Sequence, residues 1–141
     1  MKRLLFALFT LLMPLVLQAQ KDSTPFRAYL YNNEFKVFMR INFESNDLII
    51  PGQDLLGPLS GYLGKDGYSF YWPIISAEVK GKKAHLQMVN DYGSEDLEAE
   101  LIRQNDSTYV LRQGKGSSLK VPDGGKWQKL PNVLTFKRME K

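Results

Sequence analysis

From Glu34 to Phe43 every second residue is apolar: Phe35, Val37, Met39, Ile41 and Phe43, with Lys36, Arg40 and Asn42 between them and Phe38 the only break. Successive side chains of a β-strand point to opposite faces, so this spacing describes a strand with one face buried and the other in water. Upstream, Phe26, Ala28 and Leu30 alternate with Arg27, Tyr29 and Tyr31. A two-residue turn at Asn32-Asn33 would set Tyr31 opposite Glu34, Leu30 opposite Phe35 and Ala28 opposite Val37, with both apolar sets on one face. Asparagine tolerates the positive φ of tight primed turns, so turn chemistry and hydrophobic register predict the same hairpin.

The pattern recurs along the chain. Ile75, Ala77 and Val79 are expected to face inward, Gly81-Lys82 puts glycine where a type II′ turn needs it, and Ala84, Leu86 and Met88 return on the same face. Leu97, Ala99 and Leu101 match Tyr109 and Leu111 across an odd-length loop, most simply Asn105-Asp106-Ser107. Gly114-Lys115-Gly116 is expected to turn the chain into Leu119 and Val121. After a Pro/Gly-rich stretch from Pro122 to Pro131, Leu134 and Phe136 mark a last strand. Short runs at Leu48 to Ile50 and Phe70 to Trp72 bring the expectation to about eight to ten short antiparallel strands, with no segment of helical period.

That is an all-β, up-and-down meander. A single layer of this length exposes its apolar face unless it curls, which favours a closed or nearly closed barrel, with a two-sheet β-sandwich as the alternative. A barrel set in a membrane needs strands of about nine to eleven residues with an apolar exterior, and only the Glu34 to Phe43 run is that long.

The chain begins Met1-Lys2-Arg3, runs apolar from Leu4 to Leu17 except at Thr10 and Pro14, and continues Gln18-Ala19. This reads as a secretory signal, residues 1–19, cleaved after Ala19. The apolar run is short for a membrane span of about twenty residues, and Gln20, Lys21 and Asp22 follow at once. Removing 19 of the 141 residues leaves 122, a single barrel-like domain over 20–141. The expected location is the periplasm or the cell exterior, with no membrane-spanning segment after cleavage. The chain has no cysteine, so a lipid-bearing cysteine and a disulfide framework are both excluded, and the apolar core must stabilise the fold alone. Lys2 and Arg3 supply two of the four net positive charges, so the mature domain carries about +2. Its basic residues are dispersed, which argues against nucleic acid or an anionic membrane as partner.

Groups able to do chemistry are few. His85 is the single histidine and is expected on the outer face of its strand, opposite in sense to Ala84 and Leu86. Zinc sites built from several nitrogen or sulfur ligands are excluded, and no catalytic set of acid, base and nucleophile stands out. No cofactor is expected. The stretch Asn90-Asp91-Tyr92-Gly93-Ser94-Glu95-Asp96 offers oxygen ligands around a glycine turn but lacks the ligand spacing of a calcium loop, and it reads as a solvated hairpin loop.

The most suggestive segment is Pro51 to Pro73, punctuated by glycine and proline and rich in aromatic rings. Long loops of this kind are uncommon without a reason. Tyr62, Tyr68, Tyr71 and Trp72 are the candidate ligand-binding residues: at a barrel mouth their faces suit a sugar ring or another small apolar ligand. The competing reading makes them a core plug, and Trp127 carries the same ambiguity. The function expected is a non-catalytic binding module with an unknown small molecule at one barrel end. The alternative is a protein-interaction module, such as a periplasmic inhibitor or an envelope accessory protein, using an exposed strand edge or the outward rings Tyr29, Tyr31 and Phe38.

The run from Ala77 to Leu97, and the ending Gly125-Lys126-Trp127-Gln128-Lys129-Leu130-Pro131 with Leu134-Thr135-Phe136-Lys137, resemble small exported proteins of Gram-negative gut bacteria whose function is unassigned. The resemblance implies a compartment and no activity. In architecture the meander resembles lipocalin-like barrels, which hold apolar ligands. Their Gly-x-Trp signature opens the first strand, whereas Gly125-Lys126-Trp127 lies near the C-terminus, so no ligand residues carry over.

Overall fold

The computed structural model describes residues 25–140, and the expected export signal with its cut after Ala19 lies outside the described residues. The strands are β1 (Arg27–Asn32), β2 (Val37–Asn42), β3 (Gly61–Lys65), β4 (Tyr71–Lys80), β5 (Lys83–Val89), β6 (Asp96–Arg103), β7 (Thr108–Gly116), β8 (Lys120–Asp123), β9 (Lys126–Lys129) and β10 (Val133–Met139). Eight of them close into an antiparallel barrel in the order β1-β10-β7-β6-β5-β4-β3-β2, and β8 and β9 form a separate hairpin. The meander is therefore closed, and its seam is the pairing of β1 with β10 from Tyr29↔Met139 to Tyr31↔Lys137.

Alternation produces the core. Leu30, Met39, Leu63, Trp72, Leu86, Leu101, Leu111 and Phe136, one from each barrel strand, are buried in one continuous apolar cluster. An eight-stranded barrel has an interior just wide enough for such side chains to fill. The other faces of β5 and β6 carry Lys83, His85, Gln87, Glu98 and Glu100, so His85 lies outside as expected. No helix among the described residues is long and apolar enough to cross a membrane.

The first hairpin differs from expectation in register. Leu30 pairs with Met39 and Ala28 with Ile41, four residues beyond the expected Phe35 and Val37, and β2 begins only at Val37. The cause is the buried Asn32 side chain. Its Oδ1 accepts the Phe35 N–H at 2.7 Å and its Nδ2 donates to the Thr135 carbonyl at 2.8 Å, while Lys36 takes φ 57°. Asn32 thus organises a wider turn through 33–36 instead of sitting inside a two-residue one. A slip of four is even, so every side chain keeps its face and the core is unchanged.

In the second hairpin the Gly81-Lys82 turn closes between Lys80 and Lys83, and Ala84, Leu86 and Met88 are buried as expected. Ile75 is a correction: the β4–β5 register shifts between Ile74 and Ser76, so Ile74 points inward and Ile75 is half exposed. Val79 keeps the inward sense of Ala77 but lies at the tip, 44% exposed. The Asn105-Asp106-Ser107 loop is as expected, closed by the Gln104 N–H donating to the Thr108 carbonyl at 2.8 Å.

Gly114-Lys115-Gly116 is not a turn. β7 runs through it to Gly116, and the β6–β7 register shifts between Leu97 and Ala99. Gly116 has φ 109°, and a Cβ there would stand 2.4 Å from the Asp96 carbonyl oxygen. These glycines let a bulged strand approach its neighbour's backbone. Gly116→Ala should therefore destabilise the protein by about 1–3 kcal/mol. A thermal melt unchanged by the substitution would refute the bulge.

The stretch Pro122 to Pro131 is not a plain loop either. Gly124 and Gly125, at φ 63° and 85°, turn β8 into β9. Leu119, Val121 and Leu130 belong to the barrel core, so the hairpin plugs the end from which β7 leaves and β10 returns. At the other end Phe26 stacks on Phe43 at 5.5 Å and meets Tyr109 edge-on at 6.1 Å, and the Tyr109 hydroxyl donates to the Pro25 carbonyl. Residues 43–60 form a strap along the outer wall, held by the bridge Leu48↔Leu59, so the Leu48 to Ile50 run is no ladder strand. The Phe70 to Trp72 run flows directly into β4.

Candidate functional site

The four candidate aromatics lie in three different places. Trp72 points into the barrel, 1% exposed, and its indole Nε1 donates to the Lys120 carbonyl at 2.9 Å. Tyr62 and Tyr71 point outward and pack edge-to-face at 5.4 Å, together with Ile50 of the strap and the half-buried Phe38, Leu48 and Leu59. Burial raises the Tyr62 pKa, with a smaller opposing pull from Arg40. Tyr68 is at the plugged rim, where its hydroxyl accepts the Gly124 N–H at 2.7 Å and ties the β3–β4 loop to the hairpin.

That rim holds the candidate site. Three segments distant in sequence meet there: the β3–β4 loop, the β5–β6 loop and the β8–β9 hairpin. Together Phe70, Trp72, Asn90, Tyr92, Ser94, Glu95, Lys120 and Trp127 line a half-open pocket of about 240 Å³. Phe70 is buried between two exposed rings, with centroids 5.0 Å from Trp127 and 5.7 Å from Tyr92. Below them Lys120 Nζ and Glu95 Oε2 stand 3.6 Å apart, each partly exposed. A larger void of about 550 Å³ lies at 52–56, but a single loop lines it, so it is the hollow of an arch and not an assembled site.

The acidic β5–β6 loop is shaped by its own side chains. Asn90 Oδ1 accepts the Ser94 N–H at 2.9 Å and the Glu95 N–H at 3.3 Å. Asp91 accepts from Gln53 Nε2 at 2.6 Å and from the Tyr71 N–H at 3.3 Å, which joins the strap to the loop. Asn90 and Asp91 are thus engaged in holding the loop, while the Glu95 carboxylate and the Lys120 ammonium face the pocket.

Trp72 and Trp127, both singled out in the sequence, contribute to the pocket, Trp72 as floor and Trp127 as wall. Tyr92 and Glu95 lie in the stretch that offers oxygen ligands, yet nothing local in the sequence shows that its ring and carboxylate turn toward a tryptophan some thirty-five residues on. Lys120 gave no signal at all. The outward rings of the first hairpin are only half exposed. Tyr29 and Phe38 lie 5.9 Å apart with the Arg40 guanidinium 4.7 Å above Tyr29. Tyr31 donates its hydroxyl to Asp66 Oδ2 at 2.6 Å, a bond that is lost on deprotonation and so pushes its pKa up to about 12.

No protein-family model matches this chain, and no curated protein or solved structure matches it either.

Proposed function

We propose that this protein is a non-catalytic binding module that holds one saccharide ring at the plugged end of its barrel, in the periplasm or outside the cell. The observation that carries the reading is the pairing of exposed Trp127 and Tyr92 rings with the Glu95–Lys120 ion pair in one pocket. A pyranose has an apolar C–H face and a rim of hydroxyls. The face suits the aromatic walls, and the hydroxyls suit a carboxylate acceptor and an ammonium donor. A purely apolar ligand would strip water from both charges without replacing it, which costs binding energy. Size agrees: about 240 Å³ is below the roughly 300–1,000 Å³ of sites for drug-sized ligands, so the pocket suits a single ring.

A protein-interaction role through the outward rings has less support, because Tyr29, Tyr31 and Phe38 already spend much of their surface on Arg40, Asp66 and one another. Titration with a panel of methyl pyranosides, followed through the Trp127 indole N–H by NMR, tests the assignment. Trp127→Ala should weaken binding by about 1–3 kcal/mol and cost only about 1–2 kcal/mol of stability, since the ring is half exposed and rests on Phe70. Binding that survives Trp127→Ala, or an indole signal unmoved by any sugar, would sink the reading.

A further inference from the structure

β4 outruns the neighbour on one of its sides. β3 pairs with it only from Gly64↔Tyr71 to Gly61↔Ile74, while β5 follows it to Lys80↔Lys83. Residues 76–80 therefore have β5 on one edge and no strand on the other. The Gly81-Lys82 turn makes Lys80 and Lys83 the pair that exchanges backbone hydrogen bonds, and such pairs alternate along an antiparallel ladder. Glu78 and Ser76 consequently direct their N–H and C=O groups at β5. Ala77 and Val79 direct theirs at the other edge, where Asn46, Pro58, Leu59 and Ser60 of the strap line a hollow with Ile75, Ser76 and Ala77, and Val79 lies beyond it. Among the described residues no turn or loop backbone bond reaches Ala77 or Val79. The exposed side chains along this edge are Ile75, Ser76, Glu78, Val79 and Lys80.

We infer that this edge is a docking surface for a second copy of the chain, joined β4 to β4 about a two-fold axis through Val79. A two-fold antiparallel pairing with hydrogen bonds on its axis must place there a residue whose backbone groups face the edge, which leaves Val79 or Ala77. With Ala77 on the axis, Glu78 would face Ser76 and Lys80 would face Ile74, so neither charge meets its opposite. With Val79 on the axis, the Glu78 of each copy faces the Lys80 of the other, and the two Val79 side chains meet. Glu78 and Lys80 have no ion-pair partner within their own chain among the described residues. Lysines on an open edge repel unrelated strands, and this edge carries Lys80 with Lys82 and Lys83 at its tip. Its own copy supplies a carboxylate, Glu78, for Lys80, while Lys83 already has Glu100 at 3.8 Å within its own chain. The interface lies at the end of β4 remote from Tyr71, so the two pockets at the plugged rims stay open in the dimer.

The contact is short, so the dimer is weak, with Kd on the order of 10–100 μM. Sedimentation velocity of the protein as recovered from an expressing cell, at about 10 μM to 1 mM, should show a monomer–dimer equilibrium across that range. Glu78→Lys places lysine against lysine and should raise Kd at least about tenfold, and the exchange Glu78→Lys with Lys80→Glu should bring it back to within about threefold. Val79→Pro removes the axial N–H without touching the β5 ladder, and should give a folded monomer by circular dichroism. A monomer at every concentration, or a dimer indifferent to Glu78→Lys and Val79→Pro, overturns the inference.

Discussion

Trp72→Ala should cost about 3–5 kcal/mol of stability, the loss expected when a large aromatic is removed from a packed core and the walls relax only in part. The indole is 1% exposed, and its Nε1 bond to the Lys120 carbonyl is one of the ties between the barrel and its plug. The substitution leaves that carbonyl without its donor as well as a void. A fall in Tm of at least about 10 °C by circular dichroism is the expected reading. Trp127→Ala, on the same pocket, should cost far less stability and weaken saccharide binding. A Trp72→Ala protein that melts normally but no longer binds would mean that the indole belongs to the pocket wall and not to the core.

The second large effect separates two adjacent residues. Val37 is fully buried beside Met39 and Leu30, and Lys36 sits in the turn at φ 57°. Val37→Asp places an unpaired carboxylate in the barrel interior and should destabilise by several kcal/mol, on the order of 3–5. Lys36→Asp changes a wet position whose left-handed backbone aspartate tolerates, so it should stay within about 0.5 kcal/mol of the parent. Urea unfolding of the two variants gives the comparison. Equal loss at both positions would mean that the face assignment of β2 is wrong.

The barrel was legible in the sequence because its evidence is periodic and local. Alternation at Val37, Met39 and Ile41 and at Ala84, Leu86 and Met88 needs only the chain itself, and parity survives an error in the turn, as the four-residue slip of the first hairpin illustrates. What escaped was whatever depended on a distant partner. The width of the Asn32 turn follows from a bond to Thr135, on the last strand. The strand glycines Gly114 and Gly116 looked like a turn because their reason, the carbonyls of Glu98 and Asp96, lies on β6. Ile75 was misplaced because a bulge reverses parity at one residue. The pocket was only half visible for the same cause: aromatic residues announce themselves, but three loops meeting at one rim is a property of barrel closure and is written in no single segment.

Closure itself has a consequence in time. The seam joins β1 to β10, residues that stand at opposite ends of the described chain, and Asn32 latches across it to Thr135. Neighbouring hairpins can zip early, because each needs only a short loop to close. The seam must wait for the last strand, after the entropy of a loop of about a hundred residues has been overcome. Until then β1 and β10 present the open edges, because β10 can already pair with β7 across residues 117–132, which carry the plug. The slowest step expected in assembling this barrel is therefore the docking of β10 onto β1, which closes the ring over its plug.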